Sequence, residues 1–242
     1  MLEKPYYVNK VNNFELFNEI NYLLEEGFSN SDELNKMDLN SYFEYTLNLQ
    51  NQINSLDFAK NFIDSHINTI KKFIDVDFLY YTPKIYLRAV RNEKKANNEF
   101  IEFHRESYYN NFNKDCYSIW IPFVDITKNN CLKYVDEKNK KVKDNIEKVQ
   151  NSFIKKYSPG HKLGLNYKNF KLDIDNNNVK SILAKKGEYI IFDGNLLHGS
   201  GKNKEDYIRI AINFFIIPSN KSINYYSSKE INNQNVYYKK FN

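Results

Sequence analysis

Cysteine is scarce in this chain of 242 residues: there are two, Cys116 and Cys131. Two isolated thiols make no disulfide framework, and a reducing, cytoplasmic setting is expected. Long apolar runs are missing as well. No stretch reaches the ~18 apolar residues of a membrane-spanning helix, and Met1–Lys10 lacks the apolar core of a signal peptide. The expectation is a soluble protein without a membrane partner. Dense basic tracts are also lacking. Thirty-five basic against 30 acidic residues leave a charge of +5, too dispersed to argue for a nucleic-acid partner. Glycine and proline number only seven and five, while Asn, Lys, Ile and Tyr abound, a pattern of AT-rich coding that lowers the weight of any Asn run.

What is present reads as one α+β domain spanning residues 1–242, within the usual size of a single core. Residues 1–76 are helical in pattern. Phe14, Phe17, Ile20 and Leu24 recur at helical spacing and end at Gly27; Ser31-Asp32-Glu33 caps a second helix through about Leu49. A third opens near Ser55 and carries the stripe Phe58, Phe62, Ile63, His66, Ile67, Ile70 and Phe73, in which His66 reads as a packing residue. Residues 77–218 are β-rich. Tyr80–Val90 is expected as a first strand and Tyr117–Asp125 as another, with Ser118 and Trp120 on one face and Ile119 and Ile121 on the other. A long irregular insertion, about 138–186, reads as a lid over a substrate site. The polar tail, 219–242, has paired tyrosines and leaves two roles open: packing over the helices or an oligomer contact.

The chemistry concentrates in Gly187–Ile217. An apolar run, the turn Asp193-Gly194-Asn195, His198 in a glycine-rich loop and a second apolar run follow one another. The glycines around His198 read as backbone passing close to something bound. Arg209 is a lone charge in the second run, and a guanidinium pointing inward needs an anion. Upstream, Phe100–Ser107 reads FIEFHRES. On one strand, His104 and Glu106 share a face, and His198 completes a two-histidine, one-carboxylate set of the kind that suits non-haem Fe(II) oxygenases. Such a set leaves three positions open, two for a 2-oxo acid and one for O2. Early and late strands of one jelly roll, with the helices packed on one sheet, would bring these residues together.

With these motifs, the segment from about Lys84 to Pro218 resembles the phytanoyl-CoA dioxygenase-like branch of the Fe(II)/2-oxoglutarate-dependent oxygenases. The resemblance implies a double-stranded β-helix and metal ligands at His104, Glu106 and His198. It implies Fe(II), 2-oxoglutarate and O2 as cofactor and co-substrates, with Ser200 and Arg209 on the distal carboxylate of 2-oxoglutarate and Trp120 against the co-substrate. Asn129–Lys140 resembles the family's NGCL segment but lacks the Pro-Gly-Ser-His that follows it, and the carboxylate is Glu rather than the commoner Asp.

The substrate expectation is a small polar molecule, of sugar or nucleotide-sugar type as in surface carbohydrate biosynthesis. Tyr109 would stack on it, and Arg91 and His161 would meet phosphate or carboxylate. An acyl or amino-acid-derived substrate is the alternative. A cupin-like isomerase on the same ligands has no need of Arg209, and a non-catalytic binding module has no reason to bury such a set. The ligand carboxylate also argues against halogenation, which gives that position to halide. Nothing in the sequence bears on oligomeric state.

Overall fold

The computed structural model describes residues 5–12, 14–74, 78–82, 84–94, 103–106, 116–138, 142, 145–147, 169–218 and 237–240. Four helices fill the first third: α1 (Phe14–Gly27), α2 (Ser31–Lys36), α3 (Leu39–Ser55) and α4 (Phe58–Ile74). The single helix expected from Ser31 to about Leu49 is two. Asp38 starts the second because its carboxylate accepts from the backbone N–H groups of Asn40 and Ser41, at 2.9 and 3.1 Å. Asp57, at φ 50°, turns the chain between α3 and α4, a backbone region that aspartate tolerates better than most residues.

The strands are β1 (Tyr6–Lys10), β2 (Phe78–Tyr81), β3 (Tyr86–Val90), β4 (Tyr117–Pro122), β5 (Leu132–Val135), β6 (Asn145–Glu147), β7 (Asn169–Lys171), β8 (Val179–Ile182), β9 (Glu188–Asp193), β10 (His198–Ser200), β11 (Arg209–Pro218) and β12 (Tyr237–Lys240). A large antiparallel sheet runs β1-β9-β4-β11-β2-β12, with β3 also paired to β11; a small sheet runs β10-β5-β8; β6 and β7 form a ribbon. The expected strand Tyr80–Val90 is interrupted and becomes β2 and β3. Val179–Ile182, inside the stretch read as irregular insertion, pairs with β5. β6 and β7 fall in the same stretch, and β10 forms where a loop was expected. Also without a counterpart in the sequence reading are β1, whose Tyr-Tyr-Val run pairs with β9, and β12 in the tail, which pairs with β2.

The central strands β4, β9 and β11 of the large sheet are buried on both faces, and strand alternation sorts their residues between two cores. On one face Ile119, Ile121, Tyr189, Ile191, Ile210, Ile212, Phe214 and Ile216 pack with Ile20, Leu24, Ile53, Phe62, Ile63 and Ile70 of the helices. On the other, Trp120, Ile190, Phe192 and Ala211 meet Cys131, Leu132, Tyr134 and Ile182, so the small sheet lies across this inner face. Each fully buried Ile or Phe contributes about 1.5–3 kcal/mol, and the two cores hold the strands whose loops carry the polar residues. Ser118 also faces inward, and its hydroxyl donates to Asn213 Oδ1 at 2.6 Å.

His66 is the packing residue that the stripe implied. It is buried against Phe62, with ring centroids 4.1 Å apart. Its Nε2 accepts from the Asn12 N–H at 2.7 Å while Nδ1 lies 2.9 Å from the Phe62 carbonyl, which places the proton on Nδ1. Burial pushes its pKa down, only partly opposed by the Phe62 carbonyl. A second proton would set an imidazolium N–H against the Asn12 N–H. The folded state therefore binds fewer protons than the unfolded chain. The stability that depends on a neutral ring is complete above the unfolded imidazole pKa of about 6.5 and lost as pH falls below it. Melting temperature should fall between pH 7.5 and 5.5 in the wild type and fall less in His66→Gln. Equal slopes for the two proteins would reject this role.

Candidate metal centre

The turn after β9 sets the position of His198. Asp193 Oδ1 accepts from the Asn195 N–H at 2.7 Å and the Asp193 carbonyl accepts from Leu196 N–H at 2.9 Å, which reverses the chain into β10. His198 then donates from Nδ1 to the Leu196 carbonyl at 2.8 Å, leaving Nε2 as a lone-pair donor directed away from the turn. The segment bearing His104 was expected as a strand; its described residues, 103–106, form none. His104 makes an isolated antiparallel bridge to His198, with N–H···O distances of 2.8 and 3.0 Å, and the chain curls at Glu106, whose N–H donates to the Gly194 carbonyl at 2.8 Å. The expected common face survives this irregularity.

The side chains of His104, Glu106 and His198 converge. All three are buried, and each offers a ligand atom within 4.8 Å of the others. Glu106 Oε1 lies 3.8 Å from His104 Nε2 and 3.5 Å from His198 Nε2. Those separations exceed hydrogen bonds, but approach the ~3 Å between neighbouring ligands of one ion with bonds of ~2.1 Å. Burial alone would push the Glu106 carboxyl up, but the two imidazoles facing it outweigh that and hold it well below the usual carboxylate range. Glu106 is thus an anionic oxygen donor beside two imidazoles, a set that could hold a divalent transition metal. Phe192 packs edge-on to His198, with ring centroids 4.7 Å apart, and shields one flank.

Arg209 is the second feature of the site. It starts β11 on the inner face and is 2% exposed. Nη1 donates to the carbonyls of Asn130 and Gly201 at 3.1 and 3.3 Å, and Nη2 to Ser200 Oγ at 2.9 Å. None of these acceptors is charged, and Nε has no partner among the described residues. Burial pushes the guanidinium down to about 10, with Cys131 opposing the shift and the Arg88 charge adding to it, so it remains protonated at neutral pH. A buried cation held only by neutral oxygens among the described residues, with its Nε–H to spare, suits the carboxylate of a small molecule.

The structure brings His104, Glu106 and His198 into one cluster and joins Ser200 to Arg209. Trp120 lies on the same inner face of the sheet, in register with Asn213 of β11 and buried to 4% exposure. Arg91 is placed elsewhere. With Ile85 and Leu87 it faces the helices, where Nη1 donates to the carbonyls of Leu34 and Met37 at 2.9 and 2.7 Å and the guanidinium lies 4.2 Å from the Tyr42 ring centre. It ties down the break between α2 and α3, on the face of the sheet opposite Trp120 and Arg209. Arg88, of the other parity, shares the inner face with Ala211 and lies over the Tyr86 ring at 5.3 Å. Tyr109 and His161 fall outside the described residues.

Sequence reasoning missed Asn130 and the protein contact at Gly201. Asn130 is fully buried; its side chain donates to the Asp125 carbonyl and accepts from Thr127 N–H, which aims its own carbonyl at Arg209. Gly201 gives close approach to the neighbouring protein backbone. A Cβ there would stand 2.8 Å from the Cys131 carbonyl oxygen. Gly201→Ala should part β10 from β5 and lower unfolding free energy by roughly 1–3 kcal/mol, measured by urea titration. An unchanged midpoint would show that the contact yields freely.

The family model for phytanoyl-CoA dioxygenase (PhyH) matches residues 47–211, which include all the triad residues, Ser200 and Arg209. Among solved structures the chain is similar to EctD from S. alaskensis, determined with 2-oxoglutarate and 5-hydroxyectoine, at 14% identity over 89% of this chain and 73% of that one, with a TM-score of 0.52. It is also similar to the apo form of the non-heme monooxygenase ThoJ, at 12% identity over 88% of this chain and 74% of that one, with a TM-score of 0.51. At these identities the likeness concerns the fold. No match was found among curated proteins. Because the family match spans well over half of the sequence, the chain belongs to the phytanoyl-CoA dioxygenase (PhyH) family.

Proposed function

We propose that this protein is an Fe(II)- and 2-oxoglutarate-dependent dioxygenase in which the two facing sheets form a jelly roll around the reaction site. The observation that carries the reading is the pairing of a ligand cluster with a buried guanidinium. His104, Glu106 and His198 bring three ligand atoms together, and Arg209 is buried and charged with neutral acceptors alone among the described residues. The residues present fit the group. His104, Glu106 and His198 hold Fe(II), and Arg209 with Ser200 grips the distal carboxylate of 2-oxoglutarate. Bound Fe(II) with 2-oxoglutarate and O2 supplies insertion of one oxygen atom into a substrate C–H bond, the other oxygen leaving in succinate as CO2 is released. The protein's own part is positional. The Nδ1 bond to Leu196 fixes the His198 tautomer, the ionised Glu106 offsets metal charge, and Trp120 and Phe192 exclude water from the inner face.

For substrate the reading is a small polar molecule of sugar or nucleotide-sugar type. What supports polarity is the inner face itself, where Arg88, Ser118 and Asn213 alternate with apolar residues. An acyl substrate would want that face uniformly apolar.

Anaerobic addition of Fe(II) and 2-oxoglutarate should give a weak visible charge-transfer band that His198→Ala abolishes; no band from intact protein rejects the assignment. Arg209→Ala should weaken 2-oxoglutarate binding by about 2–5 kcal/mol while metal binding persists. In a mass-spectrometric screen, succinate release coupled to a sugar product heavier by one oxygen supports the substrate class. Coupling only to acyl or amino-acid substrates overturns it.

A further inference from the structure

We propose that Arg105 and Glu137 form a positioning pair for the candidate metal centre, locking the His104–Glu106 segment to the chain that leaves β5. The inference rests on the metal reading above. Arg105 stands between the two ligands in sequence, and its side chain turns to Glu137 and Asn195 rather than to the ligand cluster. It makes a two-point ion pair with Glu137: Nη1 to Oε2 and Nη2 to Oε1, both 2.8 Å. Nη1 also donates to the Asn195 carbonyl, in the turn that leads to His198. The two side chains are only 13% and 19% exposed, so water screens the pair weakly. Glu137 Oε1 in addition accepts from the Val142 N–H at 2.8 Å, at the root of the insertion.

The backbone shows why such a link matters. Three backbone–backbone hydrogen bonds fasten the described part of the ligand segment, two with His198 and one to Gly194, and all three run to the single stretch 194–198. Its described residues, 103–106, belong to no strand of either sheet. Through one guanidinium it is joined to a second body, the end of β5, whose Asp136 N–H is bonded to Asn178 ahead of β8. A planar fork on a carboxylate fixes orientation as well as distance, which lysine cannot do. Metal ligands must be held to about 0.5 Å, and residues that orient ligands typically set metal affinity by 10–100-fold. Glu137 has a second effect, because its charge cancels that of a cation adjacent to a site for a divalent ion.

Co(II), titrated into metal-free full-length protein and followed by its visible ligand-field spectrum, tests the pair. Arg105→Gln should weaken Co(II) binding about 10–100-fold. Arg105→Lys should recover part of the loss. Glu137→Gln should weaken binding too, and the double variant Arg105→Gln/Glu137→Gln should be no worse than Glu137→Gln alone, since it removes both charges. Should Arg105→Gln fail to fold, Arg105→Lys and Glu137→Gln decide the matter. If the variants lower the melting temperature of metal-free protein but bind Co(II) with wild-type affinity and spectrum where all are folded, the pair only stabilises the fold and the proposal is overturned. If wild-type protein gives no Co(II) spectrum that His198→Ala removes, the metal reading itself falls, and this inference with it.

Discussion

A permanent cation sealed inside the protein is the constraint on which this structure turns. Taking an ion out of water costs several kcal/mol even after the surroundings relax, and neutral carbonyls return only part of it. Arg209 is tolerated because Asn130 and Gly201 turn two backbone oxygens toward it and Ser200 a third. Each acceptor requires something further. The Asn130 carbonyl is aimed by its side chain, which bonds Asp125 and Thr127. The Gly201 carbonyl is in place only because no Cβ separates it from Cys131. The closeness of β10 to β5, which also sets His198, is therefore coupled to the guanidinium.

A sheet covered on both faces gives that constraint its setting. β11 is buried at every position from Arg209 to Pro218, and alternation sends Ile210, Ile212, Phe214 and Ile216 to the helices. The other parity faces the small sheet, where Arg209 and Asn213 replace what would otherwise be apolar. The helices thus do more than cover the sheet. By supplying an apolar core on one side, they offset part of what the polar groups on the opposite side cost.

Much of this was legible in the sequence, and what was not has identifiable causes. The Phe58–Phe73 stripe is a strong periodic signal, and α4 follows it closely, with His66 facing inward. Arg209 stood out because a single charge in an apolar run has few physical explanations. The break at Met37 was missed because Asp38, the residue that caps α3, also fits a helix interior in pattern alone. β8 was missed because Val179–Ile182 is short and enclosed by Asn and Lys runs. Strand parity puts Arg88 and Arg91 on opposite faces but does not say which face meets the helices; Ile85 and Leu87 decide it only once packed. The ligand segment mimicked a strand in sequence; in space its described residues are tied by backbone bonds to 194–198 and by the Arg105–Glu137 ion pair, contacts that no local pattern encodes.

The site's charges also bear on which co-substrate it can accept. Under the proposed reading, a divalent ion, the Glu106 carboxylate and the Arg209 guanidinium leave two positive charges, one at each end of the inner face. A dicarboxylate neutralises both: one carboxylate at the metal, the other at Arg209. A 2-oxo acid with a single carboxylate could meet only the metal and would leave Arg209 uncompensated in a low-dielectric interior, where an unpaired charge is most costly. Discrimination between the two therefore comes less from added contacts to the longer molecule than from the penalty that the shorter one leaves behind. That penalty is present because Arg209 cannot reach water and cannot lose its proton at neutral pH.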